Sequence, residues 1–173
     1  MRPIDFVTAL AALLSQSELR TRFAQDPALV ADELNIADGD RAMFIALQPE
    51  HVHAQANLLM TKRMKEVYKH LPQTYLQLGN DATTFFKSYA ANNWPQTHRR
   101  HQEDAYQFCH YLKAHRLPVT QSEFNHLAFL RSGRHISLAL AKDVLIKGHR
   151  FPAIQLFYRR KGITGQWRLY LKG

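Results

Sequence analysis

The spacing of apolar residues changes near residue 133, and this change constrains the fold more than any other feature of the chain. Before that point, apolar residues recur every three or four positions, as Phe6, Leu10 and Leu13 do, which is typical of helices with one buried face. After it, they alternate with other residues, which is typical of strands. The sequence therefore predicts an α+β fold: a mostly helical domain over residues 1–132, then a small antiparallel sheet of three or four strands over residues 133–173.

Three alternating runs make up the predicted sheet. Their apolar positions are Ile136, Leu138 and Leu140, then Ile154, Leu156 and Tyr158, and finally Trp167, Leu169 and Leu171. Residues 161–165 contain two glycines between the second and third runs, which indicates a hairpin loop.

Prolines and polar caps mark the ends of the predicted helices. Pro49 begins the longest one, roughly residues 49–70. Thr120 and Glu123 match a capping box, which predicts the start of the last helix. One side of the longest helix is basic and is expected to face solvent. Its residues are Lys62, Arg63, Lys65 and Lys69.

The positive charge is concentrated at one end of the chain. The whole chain has 23 Lys and Arg against 14 Asp and Glu, a formal net charge of +9. Residues 124–173 hold ten basic residues and one acidic residue, Asp143, and so carry as much net charge as the whole chain. A field polarised in this way attracts anionic partners, which include both nucleic acids and acidic peptides.

Composition also excludes several classes of protein. With Cys109 as the one cysteine, the chain forms no internal disulfide and no cysteine-based metal cage. It has no apolar run of about 18 residues, so we expect no membrane span. The short apolar stretch at residues 6–14 lacks a basic flank and a cleavage site, so we expect no signal peptide and a soluble cytoplasmic protein.

No complete active site is evident in the sequence. Cys109 lies in a helix interior among apolar residues, where nothing lowers a thiol pKa. Glu103 and Asp104 are adjacent and diverge on a helix, so we expect them only to complement the helix dipole in a first turn. Of ten histidines, His98 and His101 have the best spacing for a shared metal, but two arginines lie between them. We therefore predict no enzyme activity and no metal site in this chain.

The edges of the predicted sheet are the strongest binding candidates. An open edge accepts a further strand from a peptide, and a basic edge suits an acidic peptide. Basic side chains such as Arg159, Arg168 and Lys172 also fit the opposite role, because charged residues protect edges from unwanted pairing. The candidate peptide-binding residues are Ile154, Leu156, Tyr158, Arg159, Trp167, Arg168, Leu169 and Tyr170.

A set of spaced residues between positions 26 and 112 forms a recognisable pattern. It consists of Asp26, Pro27, Leu29, Leu34, Ile36, Lys62, Arg63, Val67, Leu71, Pro72, Thr74, Leu78, Gly79, Phe86, Tyr89, Ala90, Asp104, Ala105 and Phe108. In this pattern the chain resembles the small helical partner proteins of multinuclear non-heme iron oxidative enzymes, which act in the biosynthesis of ribosomally made, post-translationally modified peptides. Within that group it looks most like the methanobactin biosynthesis proteins of the MbnC type.

The resemblance implies a non-catalytic subunit. Such a subunit forms a heterodimer with the iron enzyme and captures the leader of the precursor peptide by strand addition to the C-terminal sheet. Core cysteines are thereby delivered to the partner's iron site, where they are oxidised to an oxazolone with an adjacent thioamide, a copper-chelating pair. The resemblance thus implies no cofactor in this chain, iron in the partner enzyme, and no membrane partner.

Two other functions remain open at this stage. A basic nucleic-acid-binding regulator would account for the net charge, although no predicted helix is both basic and placed as a helix-turn-helix reader requires. A metal-dependent enzyme would need His98 and His101 as ligands. Neither is preferred over the peptide-binding subunit.

Overall fold

The computed structural model describes residues 2–91, 93–94, 100–146 and 149–171. Its elements in chain order are the helices α1 (Phe6–Ser15), α2 (Ser17–Gln25), α3 (Pro27–Glu33), α4 (Asp38–Ile45), α5 (Pro49–His70), α6 (Pro72–Leu78), α7 (Ala82–Ala90), α8 (Arg100–Ala114) and α9 (Gln121–Ser132), then the strands β1 (Ile136–Ile146), β2 (His149–Arg160) and β3 (Ile163–Tyr170). The predicted fold class, a helical body followed by a small antiparallel sheet, is confirmed with three strands in the order β1-β2-β3.

The chain divides into two compact units. One contains residues 1–62 and 90–94, and the other contains residues 63–89 and 95–173. The sheet therefore shares a unit with α6, α8 and α9, while the change from helix to strand lies between Ser132 and Ile136. The domain division at residue 132 stays a prediction.

The first unit is built around α1 to α4. Asp5 and Asp26 cap α1 and α3, since their carboxylates accept from the amides of Thr8 and Leu29. The rings of Phe23 and Phe44 meet edge to face, with centroids 5.1 Å apart, at the centre of the buried cluster. Each of these helices buries part of its apolar stripe, but Val7, Leu29 and Met43, which the same spacing places inward, are exposed.

The second unit has an aromatic core. The rings of Tyr68, Phe86, Tyr89 and Phe108 lie within 5.2 to 6.0 Å of one another as neighbouring pairs. Ala105, Phe108, Cys109 and Leu112 of α8 are fully buried. The apolar stripe predicted on α8 is therefore confirmed.

A buried ion pair lies inside this core, and it corrects the predictions that Arg63 is solvated and that Asp104 only complements a helix dipole. Arg63 is only 7% exposed rather than solvated, although Lys62, Lys65 and Lys69 are exposed as predicted. Its guanidinium makes two bonds to Asp104, Nε to Oδ2 at 2.6 Å and Nη2 to Oδ1 at 2.7 Å. Asp104 is fully buried, and it also accepts a 2.8 Å bond from the Tyr89 hydroxyl. Arg63 is buried although it is basic, because these bonds supply the partner that a buried charge requires.

The sheet has one face packed against α9. Gln155 of β2 is fully buried there and donates to the Ser122 carbonyl at 3.4 Å, while Asn125 donates to Gln155 Oε1 at 3.0 Å. Phe157 stacks on Phe129 of α9, with centroids 5.3 Å apart. Odd-numbered β2 residues thus face α9, and even-numbered residues face away.

The hairpin loop between β2 and β3 is shorter than predicted. Arg160 pairs with Ile163, so Lys161 and Gly162 alone form the loop. Both have positive φ, 47° and 80°, as a two-residue type I′ turn requires. Gly165, predicted in the loop, lies within β3 opposite Tyr158, whose ring occupies the space where a Cβ would be.

Candidate peptide-binding surface

The sheet face turned away from α9 is apolar at every central position. Three cross-strand rows form this surface, which we call the outer face. The rows are Ile136, Tyr158 and Gly165; Leu138, Leu156 and Trp167; and Leu140, Ile154 and Leu169.

These outer-face side chains are exposed to an unusual degree. Leu138 and Trp167 are each 69% exposed, and Leu169 is 65% exposed. A contiguous exposed apolar patch on a folded protein commonly marks a surface where another molecule binds. In many antiparallel sheets one face is apolar and buried while the other is polar and solvated. This sheet differs, because both of its faces carry apolar residues.

The two edges of the sheet differ in what they leave open. Two main-chain bonds show which backbone groups point outward. Arg159 N donates to His135 O at 2.7 Å, and Leu171 N donates to Pro152 O at 2.9 Å. On β1 these belong to Leu138 and Leu140, and the Leu140 carbonyl already accepts a 3.0 Å bond from the Asn125 side chain.

The free edge of β3 is the more accessible one. The outward-pointing amides and carbonyls of β3 belong to Thr164, Gln166, Arg168 and Tyr170, because Gly165, Trp167 and Leu169 face β2. Within the described residues, β3 has β2 as its one strand neighbour. This edge therefore presents a row of backbone groups that a further strand can bond.

The structure places the predicted site residues in three environments. Ile154, Leu156, Tyr158, Trp167 and Leu169 come together on the outer face. Arg168 and Tyr170 lie on the edge strand with their side chains on the α9 side, opposite Gln155 and Ala153. Because β2 is paired on both sides, its residues offer side chains but no free backbone edge.

Arg159 does not lie on a sheet edge, and its part in peptide binding stays a prediction. It lies in the central strand, where its Nη2 donates to the Leu130 carbonyl at 3.1 Å and its guanidinium lies 5.5 Å from the Phe129 ring centroid. These contacts tie β2 to α9. Lys172, the third basic residue considered for the edge, lies outside the described residues.

A polar cavity of about 230 Å³ lies beside the free edge, within the second unit. Its lining residues come from α5, α6, α9 and β3. They are Lys69, His70, Pro72, Gln73, Ser122, Glu123, His126, Leu127 and Arg168. Arg168, which sequence analysis placed on a basic edge, thus also lines this cavity.

Glu123 contributes the one carboxylate among those lining residues, and both of its oxygens accept hydrogen bonds. It accepts bonds from the Gln73 amide (2.6 Å), the Thr74 amide (3.0 Å) and the Thr74 hydroxyl (2.7 Å). The capping-box prediction is therefore half right: Thr120 precedes α9 but makes no side-chain cap bond, and Glu123 caps α6 instead. Burial raises the pKa of Glu123, while these hydrogen bonds oppose that rise.

The two histidines of the cavity are held toward their neutral forms. Burial lowers the pKa of His70 below 6.5, and the nearby His101 and Lys69 lower it further, against an opposing effect of Glu66. Burial lowers the pKa of His126 in the same way, with His70 and Arg168 adding to the effect. Desolvation disfavours a charged imidazole, so both rings are neutral at neutral pH.

These shifts predict that stability falls on acidification. Below about pH 6.5 the unfolded chain binds more protons than the folded chain, so the free energy of unfolding decreases from about pH 7.5 to about pH 5.5. Urea unfolding of the wild type and of a His70→Gln, His126→Gln double variant measures this. We expect a shallower pH dependence in the double variant over this range; equal slopes would contradict the assignment.

Cys109 is a buried structural thiol, as predicted. It is fully buried, and burial raises its pKa to about 12. At about pH 8 we expect an aromatic disulfide reagent to react with the folded protein at least a hundredfold more slowly than with the protein in urea, because the thiolate is the reactive form. Fast reaction of the folded protein would contradict this placement.

The local histidine clusters do not form a site in the described part of the chain. His51 and His53 are exposed on α5, and His110 and His115 are exposed on α8 and just beyond it. His98, the proposed partner of His101, lies outside the described residues. Among the residues that the structure describes, no group of three His, Cys, Asp or Glu side chains is arranged to hold a metal ion. In the same residues, no helix has the length and apolarity that crossing a bilayer requires.

One family model matches part of the chain. It is described as "SCO6045-like, C-terminal domain", and it matches residues 46–114. Searches of curated proteins and of solved structures gave no match.

The matched segment runs from just before α5 to the end of α8. It contains Arg63, Tyr89, Asp104 and Phe108, which also belong to the pattern found in the sequence. These four residues are buried in the second unit. The sheet that carries the candidate surface lies beyond the matched segment.

Sequence analysis missed the cavity residues His70, Glu123 and His126. They come from α5 and α9, and only the fold brings them together. Local histidine spacing does not report contacts between distant helices, so it gives no signal for this group.

Proposed function

We propose that this chain is a non-catalytic peptide-binding subunit that receives an extended segment of a precursor peptide as a fourth strand on the β3 edge. One observation carries the proposal: an open edge strand adjoins an exposed apolar sheet face. Main-chain bonds to an edge supply affinity, and alternate side chains of the added strand supply specificity. A peptide paired with β3 would bury part of Trp167 and Leu169.

The resemblance noted in the sequence suggests the setting for this binding. The partner would be an iron-dependent oxidative enzyme that forms a heterodimer with this chain, and the peptide would be the leader of its substrate. Iron would then reside in the partner and none in this chain. By holding the leader, the subunit would raise the local concentration of the core peptide at the enzyme's metals, so that core cysteines become oxazolone and thioamide groups as in methanobactin biosynthesis.

A nucleic-acid-binding function has less support. The nine central positions of the outer face carry no charged residue, whereas nucleic-acid interfaces are strongly basic. A gel-shift assay tests this alternative. Binding to duplex DNA that weakens steeply with salt and prefers one sequence would favour it over peptide binding.

The decisive test asks whether an iron enzyme and a small precursor peptide are encoded beside this chain's gene, and then co-expresses them with this chain. We expect oxidative modification of the precursor, followed by its mass, only when all three chains are present. Equal modification without this chain would overturn the proposal. So would a gene neighbourhood that encodes neither such an enzyme nor a small peptide.

A further inference from the structure

The cavity beside β3 is placed where a docked peptide would direct one of its side chains, an argument that rests on the proposed function. Arg168 pairs with Gln155, whose amide bonds to α9. A residue opposite Arg168 on an added strand would therefore also point toward α9, with its Cβ about 5 Å from that of Arg168. The cavity lies on this same side, since four of its lining residues belong to α9.

The lining of this cavity favours an anion. Lys69, His70, His126 and Arg168 supply nitrogen groups, and Arg168 is cationic at all relevant pH values. Glu123 is the one carboxylate in the lining, and its oxygens are already bonded to Gln73 and Thr74. The carboxylate of a bound peptide would therefore lie near hydrogen-bond donors, and the oxygens of Glu123 would already be bonded elsewhere.

The size of the cavity fits a side chain. A water molecule occupies about 30 Å³ of liquid, so a cavity of about 230 Å³ has room for a carboxylate side chain together with water. The side-chain oxygen Oε1 of Gln73 is buried without a hydrogen bond partner among the described residues. That atom accepts a bond from a water or from a protonated acid, so the space is suited to a polar ligand.

We propose that this cavity binds the carboxylate of an Asp or Glu side chain of the docked peptide, at the position opposite Arg168. The residues on either side of that acid in the peptide would then lie on the outer-face side, next to Trp167 and Leu169, and would be apolar. The peptide recognised on β3 thus has the order apolar, acidic, apolar. Arg168, a basic residue of the sheet, thus has a specific role: its guanidinium binds one acidic side chain of the peptide.

A displayed library of random nine-residue peptides, selected on the full chain biotinylated at its N-terminus, provides the probe. We expect enriched sequences to contain Asp or Glu between two apolar residues. The best binder, synthesised with Glu or with Gln at that position, should bind at least about tenfold more weakly with Gln, a difference of about 1.4 kcal/mol.

Substitution in the protein tests the assigned contact. In an Arg168→Gln variant we expect the Glu and Gln peptides to bind within about threefold of each other. An Arg160→Gln variant, which removes the same charge from the hairpin end of β2 outside the cavity, should keep the full difference. An unchanged preference in Arg168→Gln would overturn the inference.

The pH dependence gives an independent readout. The titratable groups that line the cavity are Lys69, His70, Glu123, His126 and Arg168. Three further groups act on them electrostatically: Glu66 of α5 and His101 of α8 on His70, and Asp143 of β1 on Glu123. Protonation of the two cavity histidines would add positive charge, and because the pKa of each is lowered, affinity for the Glu peptide should rise only as the pH falls from about 6.5 to about 5. The Gln peptide should show no such rise, and equal behaviour of the two would count against the site.

Other outcomes separate this inference from the proposed function. If no peptide is enriched, or if binding is unaffected when the β3 edge is blocked, the proposed function itself fails. If peptides bind at the edge with equal affinity for Glu and Gln, only the acidic-residue inference fails. If inorganic phosphate alone binds with micromolar affinity and Arg168→Gln abolishes that binding, the cavity is a phosphate site and the inference is overturned.

Discussion

Substituting Asp104→Asn should lower the free energy of unfolding by about 3–5 kcal/mol. The substitution leaves the Arg63 guanidinium, which is 7% exposed, without the carboxylate that it bonds through both Nε and Nη2. It also changes the acceptor of the Tyr89 hydroxyl. Breaking a buried ion pair from one side is costly because the remaining charge stays out of water.

Urea unfolding followed by circular dichroism and tryptophan fluorescence measures this loss. The matched control is Asp81→Asn, the same change at an exposed aspartate of the same unit, which should alter stability by no more than about 0.5 kcal/mol. A loss at Asp104 no larger than that at Asp81 would contradict the assigned role.

A compensating variant tests the physical reason. Replacing all three polar members together, as Arg63→Met, Asp104→Leu and Tyr89→Phe, removes the charge and its partners at once. We expect this variant to be more stable than Asp104→Asn, because an apolar set of similar volume carries no desolvation penalty. The phenylalanine also avoids leaving a buried hydroxyl without its acceptor.

The class of fold could be predicted from the sequence because the two periodicities differ so clearly. Apolar spacing of three to four gave helices ending with α9, and alternation gave β1, β2 and β3 at their observed positions. Spacing cannot report which polar residues find buried partners. Arg63 lies on the helix side predicted to be solvated, and only the position of Asp104, far along the chain, makes its burial stable.

The candidate surface was only partly predictable for a related reason. Alternation in β1, β2 and β3 identifies one apolar face, but that face is normally the buried one. Here Ala141, Ala153 and Phe157 are buried on the α9 side, and the outer face carries large apolar residues as well, which are exposed. Strand order also had to come from the structure, since it decides that β3 and not β2 has a free edge.

Blocking the β3 edge with a Gln166→Pro substitution should weaken peptide binding at least about tenfold. Gln166 points its main-chain amide outward, away from β2, so proline there removes one donor to the added strand without breaking a main-chain bond of the sheet. The peptide carbonyl that would accept from this amide then loses its bond, which costs about 1–3 kcal/mol. The ring also obstructs the close approach that strand pairing needs.

A matched proline on the opposite edge separates this effect from general damage to the sheet. Leu138→Pro also replaces a residue whose amide points outward, but on β1, where α9 already occupies part of the edge. We expect Leu138→Pro to retain peptide binding while Gln166→Pro loses it, with both variants folded by circular dichroism. If Leu138→Pro lost binding and Gln166→Pro kept it, the peptide would have to pair with β1. Because the cavity and Arg168 lie at the β3 edge, that result would remove the geometric basis for the acidic position as well.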